Sequence, residues 1–186
     1  VAAAVELARQ NDFPFSCTPA QGGLLQVLAA GRDGGRIAET GTGYGAGLAW
    51  MLTAVSPVTE LFSVEADAAR AQACREFFAG HGNVTIIEGD WREIRRFAPF
   101  DLLVLDGGGG GKREDDPPAD PSQLLVPGGT VVLDDFHPPG QGWPPLEESG
   151  LDASGRELDR AREYWFNHPD LMTTEFRVHP LASSVV

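Results

Sequence analysis

Between Glu39 and Trp50 the chain reads Glu-Thr-Gly-Thr-Gly-Tyr-Gly-Ala-Gly-Leu-Ala-Trp, an acid followed by glycine at 41, 43, 45 and 47. Glycines at a strand-to-helix turn reach positive φ and let the main chain approach a ligand closely. A helix beginning there adds free N–H groups and the positive end of its dipole. Such a loop suits a nucleotide or a related cofactor. The loop alone leaves the cofactor open, because Gly41, Gly43 and Ala46 also fit the dinucleotide pattern G-x-G-x-x-G/A. Glu65 follows at the distance where that pattern wants a ribose-binding acid. Glycines that merely make a tight turn are the plainer alternative. Further acids recur downstream, at Asp90, Asp106, Asp134 and Asp135.

The elements around these residues explain why the acids matter together. A short apolar run ends in Glu39, and beyond the glycines Leu48, Met51, Leu52 and Val55 mark a helix that stops at Ser56-Pro57. Upstream, Thr18-Pro19-Ala20-Gln21 is a helix start, with a capping threonine and proline in the first turn, and the helix runs to Gly31. Leu61–Glu65 reads as a second strand. Asp67 caps a helix whose Ala71, Cys74, Phe77 and Phe78 face inward until Gly80. Val84–Glu88 is a third strand, followed by Gly89-Asp90-Trp91, and Phe100–Asp106 is a fourth, apolar enough to lie centrally in a parallel sheet. Pro127-Gly128-Gly129 turns into a fifth strand from Thr130 to Leu133, which ends in Asp134-Asp135. Ser154 and Glu157 form a capping box for a helix with Leu158, Ala161, Trp165 and Phe166 inward, closed by His168-Pro169. Two runs, 174–178 and 181–186, read as a closing hairpin.

This alternation predicts an α/β fold: a doubly wound, mostly parallel seven-stranded sheet with helices on both faces and an antiparallel C-terminal hairpin. We expect one Rossmann-like domain over 1–186, with N-terminal helices over 1–30. Ligands of such sheets lie beyond the carboxyl ends of the strands. Glu39, Glu65, Asp106 and the Asp134-Asp135 pair fall at those ends, and Asp90 just past one. The segments 107–121 and 136–150 overhang the same mouth, where loops set specificity. The first, five glycines and then Lys-Arg-Glu-Asp-Asp-Pro-Pro, is expected to be flexible, with a short helix near Pro121–Leu125.

Bulk properties exclude several classes. The chain has 186 residues, 42% of them hydrophobic, enough for a single sizeable core. Its 27 acidic and 14 basic residues give a formal charge of −13, which repels a nucleic-acid backbone. No apolar run approaches the ~18 residues of a membrane span, and the start lacks the basic segment of a signal peptide. Cys17 and Cys74 have no metal-type spacing and read as reduced thiols of a cytoplasmic protein. The absence of an initiator methionine and an end within a strand-like run suggest trimmed termini.

In this order and at these intervals, the segments resemble the class I S-adenosylmethionine-dependent methyltransferases. Glu39-Thr-Gly-Thr-Gly-Tyr-Gly resembles their first motif, Ser63-Val64-Glu65 their ribose-binding acid, and Gly89-Asp90-Trp91 their adenine-side motif. Phe100–Asp106 and Leu124-Leu125-Val126-Pro127-Gly128-Gly129 resemble the fourth strand and the turn before the fifth. Within the class the likeness is closest to the catechol-type, metal-dependent O-methyltransferases. Thr18–Leu25 resembles their helix before the first motif, and the ends at Asp106 and Asp134-Asp135 resemble their metal-ligating strand ends. Two departures stand out. Where that family has Asp-Ala-Asp-Lys, Asp106 here runs into five glycines before Lys112, and Asp135 replaces an asparagine.

The resemblance implies a set of roles. Gly41, Gly43 and Gly45 bring the main chain to the methionine and ribose parts of the donor. Glu39 reaches its ammonium, or else only orders the glycine turn. Glu65 accepts both ribose hydroxyls. Asp90 accepts from the adenine amino group, and Trp91 packs against the base or simply in the core. Three carboxylates at Asp106, Asp134 and Asp135 repel one another unless a cation intervenes, and oxygen ligands suit Mg²⁺ or Ca²⁺. Such an ion would hold two substrate oxygens and lower a hydroxyl pKa. In the plainer reading Asp106 only lines the cofactor pocket and the aspartate pair caps a turn. Asp106 and His137 are the candidate catalytic residues, His137 as a general base. The partner expected is a small-molecule acceptor, without nucleic acid or membrane, and a homodimer is compatible with the sequence. Two rivals remain: an NAD-type oxidoreductase, and a catalytically silent cofactor-binding protein on the same fold.

Overall fold

The computed structural model describes residues 1–112, 115–136, 160–179 and 182–186. Five parallel strands, β1 (Arg36–Thr40), β2 (Glu60–Glu65), β3 (Val84–Glu88), β4 (Phe100–Leu105) and β5 (Leu125–Phe136), are joined by an antiparallel pair, β6 (Glu175–His179) and β7 (Ala182–Val185). The sheet order is β3-β2-β1-β4-β5-β7-β6. The expected seven-stranded architecture is therefore present. Chain order reverses between β1 and β4, since β1 is followed on one side by β2 and β3 and flanked on the other by β4. At such a reversal the connections diverge to opposite faces and leave a crevice beyond the strand ends.

The helices follow their caps. After α1 (Ala2–Gln10), α2 (Pro19–Ala30) starts where Thr18 accepts a hydrogen bond from the Gln21 amide at 3.4 Å. The helix α3 (Ala46–Leu52) starts at Gly45, and α4 (Ala68–Phe77) at Asp67, whose carboxylate accepts from the Arg70 amide at 2.9 Å. A 3₁₀ helix spans Trp91–Phe97, and the short α5 (Pro121–Leu124) lies where a turn of helix is expected. The last described helix is α6 (Arg160–Phe166). The apolar residues of the sheet divide into two cores, one per face. One gathers Phe62, Phe100, Leu103 and Trp165, the other Leu25, Ile37, Leu61 and Leu102. No helix among the described residues is long and apolar enough to cross a membrane.

Several local expectations need correction. Pro127-Gly128-Gly129 does not precede β5 but lies within it. Pairing with β4 jumps from Phe100↔Leu125 to Leu102↔Thr130, and Gly128 at φ +80° absorbs the extra residues. Phe77 and Phe166 are partly exposed, because their neighbours Phe78 and Trp165 take the inward positions. The capping box at Ser154 and Glu157, His137, Trp143 and the second overhanging loop beyond Phe136 fall outside the described residues.

Candidate active site

At the crevice, β1 and β4 meet backbone to backbone. Gly107, just past β4, donates to the Thr40 carbonyl of β1 at 2.7 Å, while Gly41 donates to the Val64 carbonyl of β2 at 2.8 Å. A Cβ on Gly41, which has φ +85°, would lie 2.5 Å from the main chain of Gly107. Above this contact opens a cavity of about 360 Å³, within the range of small-molecule sites. Glu39, Glu65, Asp106 and Asp134, from the ends of four different strands, all line it. The segment between α1 and α2, Phe13 to Thr18, closes one side.

Glu39 lies deepest, 3% exposed. Its Oε2 accepts from Ser63 Oγ at 2.9 Å. Burial pushes its carboxyl well above the usual range, and the charges of Asp106, Asp134 and Glu65 push the same way against the Ser63 bond. Position 47 must be glycine for this arrangement, because a side chain there would strike Glu39 Oε1.

Glu65 is already heavily engaged. Oε2 accepts from the Gly43 amide at 2.8 Å, and Oε1 accepts from the Asp67 amide at 2.9 Å and from Arg70 at 2.8 and 3.1 Å. A carboxylate offers about four acceptor sites, so both ribose hydroxyls cannot be taken in full; Oε2 has room for one. Glu65 is also a clamp between the glycine loop and α4. We expect Glu65→Ala to weaken nucleoside binding by about 1–3 kcal/mol, the scale for stranding buried donors, and to lower the melting temperature by freeing Gly43 and Asp67. Calorimetry and thermal melting check this, and a variant with both quantities unchanged removes Glu65 from the site.

Asp90 is not brought into the cavity wall. It caps the 3₁₀ helix, accepts from the Arg92 amide at 2.9 Å and pairs with the Arg92 guanidinium. The amide bond first, and Arg92 with it, holds its carboxyl below the usual range. The wall is made instead by its neighbours Gly89 and Trp91. Trp91 lines the cavity and belongs to the core at once, 7% exposed, with its indole Nε1 buried and without a hydrogen-bond partner among the described residues.

The glycine run after Asp106 is wired rather than loose. Thr40 Oγ1 donates to the Gly108 carbonyl at 2.8 Å, Gly109 donates to buried Asp116 at 2.9 Å, and Trp165 Nε1 donates to the Gly110 carbonyl at 2.8 Å. Glycine is required because the run lies on the Trp91 indole, where a Cβ on Gly108 would come within 2.5 Å of the ring. Close packing, not flexibility, explains the composition of this stretch. Lys112 then reaches back to β5, donating to the Asp134 carbonyl and lying 5.6 Å from the Phe136 ring. Asp134 is buried, with Ser184 Oγ 3.5 Å from its Oδ1, whereas Asp106 stands at the exposed rim. The Asp135 side chain is not among the described residues, and among those that are, no three acids, histidines or cysteines are grouped to hold a metal.

Sequence reasoning missed Arg70 and the segment before α2. Phe13 covers Gly43, stacks edge-on with Tyr44 at 5.4 Å and carries Arg70 over its ring at 5.4 Å. The only sequence signal for Arg70 was its place three residues after the cap Asp67, on the turn nearest Glu65.

Comparison with known proteins gives a consistent result. The family model described as a methyltransferase domain matches residues 38–136. A Mycobacterium avium protein named "Putative O-methyltransferase" is 28% identical over 150 residues, covering 77% of this chain and 67% of the relative. Among solved structures, the O-methyltransferase TomG from Streptomyces achromogenes in complex with SAM superposes with TM-score 0.73 at 22% identity, over 99% of this chain and 86% of that one. The Bacillus cereus O-methyltransferase in complex with SAH gives TM-score 0.76 at 18% identity, over 99% and 88%. These two structures speak to the fold.

Proposed function

The chain belongs to the methyltransferase-domain family, and from that premise we propose that it transfers a methyl group from S-adenosylmethionine to an oxygen of a small molecule. The observation that carries this reading is the charge of the cavity. Four carboxylates line it, and the one arginine among the described residues of its wall is already paired with Glu65. A sulfonium donor with an ammonium tail suits such a site; the pyrophosphate of NAD would meet repulsion from Glu39, Asp106 and Asp134. The oxidoreductase rival fails on both family and charge.

In this reading Gly41, Gly43 and Gly45 leave main chain open to the donor, Glu39 faces its ammonium, and Glu65 Oε2 takes one ribose hydroxyl. Trp91 and Gly89 flank the base. The donor would supply its sulfonium methyl within the cavity that buried Asp134 and rim-exposed Asp106 both line, for direct transfer from sulfur to the acceptor oxygen. Most of the rate comes from holding the two in that geometry. Asp106 and Asp134 are an oxygen-only donor set that fits a hard divalent ion, with Asp135 next in sequence. When bound, the ion would hold two neighbouring acceptor oxygens and lower the pKa of a hydroxyl. Without it, Asp106, exposed at the rim, would take the acceptor's proton, and His137 is the second candidate base.

Titration calorimetry tests the reading. S-adenosylmethionine or its demethylated product should bind and NAD should not; NAD binding with no response to the donor overturns it. Mg²⁺ should raise the melting temperature by mass action on the native state, and the increment should vanish in Asp134→Asn. A donor that binds normally while stability and activity ignore Mg²⁺, Ca²⁺ and chelator would leave the carboxylates as a cofactor wall. Methylation of a catechol-like acceptor panel separates an enzyme from a silent binder.

A further inference from the structure

A buried chain of hydroxyls leads into the deepest carboxylate. Thr42 Oγ1 and Ser63 Oγ lie 2.6 Å apart, and Ser63 Oγ donates to Glu39 Oε2 at 2.9 Å. All three residues are buried, Ser63 completely. Ser63 has one hydrogen to give. With that hydrogen on the Glu39 carboxylate, the short contact to Thr42 is filled only if Thr42 donates to Ser63. The bonds thus run one way, from the glycine loop through β2 to β1. Such chains polarise, each link strengthening the next. Oε2 is thereby fixed, and Oε1, against Gly47, receives no hydrogen bond among the described residues. Glu39 is 3% exposed and lines the cavity, so its unbonded carboxylate oxygen is a strong acceptor waiting for a donor.

We propose that Thr42 and Ser63 are positioning residues for the donor's ammonium, holding the Glu39 carboxylate so that Oε1 meets it. The proposal rests on the methyl-donor reading above. Its physical content is rotamer selection. A glutamate with three free torsions gives up side-chain entropy on fixing, and the hydroxyl chain fixes it before the ligand arrives. The charged groups facing Glu39 are Asp106 just past β4, Asp134 on β5 and Glu65 on β2, and the Cys74 thiol of α4 lies close to it, with Arg70 beside Cys74. The ionised acids are acceptors themselves, Cys74 donates to the Gly43 carbonyl and Arg70 to Glu65, so Ser63 is the anchor of the carboxylate.

The test compares two ligands, S-adenosylhomocysteine, which carries the ammonium, and 5′-methylthioadenosine, which has the same nucleoside without the amino-acid tail. Thr42→Val removes the hydroxyl at constant shape, Ser63→Ala removes the middle link, and Thr42→Ser keeps the hydroxyl. Calorimetry should show Thr42→Val and Ser63→Ala weakening S-adenosylhomocysteine about tenfold, the size of one charge-assisted bond. Binding of 5′-methylthioadenosine should stay within about twofold, and Thr42→Ser should restore wild-type affinity for both. Equal weakening of both ligands means that the hydroxyls only hold the loop together, and overturns the proposal, as does unchanged affinity in both deletions. A wild-type protein that binds neither ligand overturns the donor reading itself, a result distinct from either of these.

Discussion

Gly41→Ala is expected to destabilise the protein by about 2–5 kcal/mol and to abolish donor binding. Two costs combine. A residue with a Cβ at φ +85° meets the left-handed penalty of about 1–2 kcal/mol. The added methyl would also lie 2.5 Å from the Gly107 main chain, and forcing atoms into packed structure costs about 1–3 kcal/mol more. Backbone cannot swing aside as a flexible side chain does, so β1 and β4 must separate at the floor of the cavity. Gly34→Ala is the control. It has the same φ, +85°, but nothing within 4 Å of the new methyl, so only the first penalty of about 1–2 kcal/mol applies. Denaturant midpoints of the two variants measure the difference. Equal losses would show that the close approach of the two strand ends imposes no constraint.

That close approach also marks the limit of what the sequence makes legible. The glycine loop, the caps at Thr18 and Asp67, the alternation of strands and helices and the acids at strand ends all follow from local signals: periodicity, capping chemistry and the rule for parallel sheets. Glu39, Glu65, Asp106 and Asp134 do converge on one cavity, as strand-end placement requires. What escaped is pairing over long range. Gly107 reads as flexible when its reason is Gly41, 66 residues earlier, and Gly108 when its reason is the Trp91 indole. Asp90 reads as a ligand residue because the motif ends there. The helix cap it makes with Arg92 uses the same carboxylate, and two residues of separation favour that local partner. Arg70 was invisible because an arginine on a polar helix face looks like a solvated one until Glu65 is placed beside it. The same holds for Ser63, which reads as a strand residue of no special chemistry until Thr42 and Glu39 stand on either side.

Glu39→Gln should raise the stability of the ligand-free protein while weakening donor binding by at least about tenfold, the scale of a lost charge-assisted hydrogen bond. Opposite signs are expected because the carboxylate is held where its charge is unfavourable until a cation arrives. In the unfolded chain Glu39 titrates at its ordinary 4.5, whereas in the fold, burial first and the neighbouring acids second move it well above that value. Between the two values the native state binds more protons than the unfolded state, so unfolding free energy falls as pH rises. Below the ordinary value both states are protonated and the residue is neutral in each. The advantage of the Glu39→Gln variant over the wild type should therefore be small in acid and grow as pH climbs through the interval above 4.5, since glutamine keeps the volume and accepts from Ser63 without a charge. The melting temperatures of both proteins across that range, with and without S-adenosylhomocysteine, provide the measurement. Ligand should restore the wild type more than the variant, because its ammonium neutralises the carboxylate that the fold leaves exposed to its like-charged neighbours. A variant less stable than the wild type at every pH, with donor affinity unchanged, would mean that Glu39 is only a brace for the glycine turn. The free energy stored at this residue is then what the site spends on recognising a cation, and its sign is readable in a melting curve before any acceptor is known.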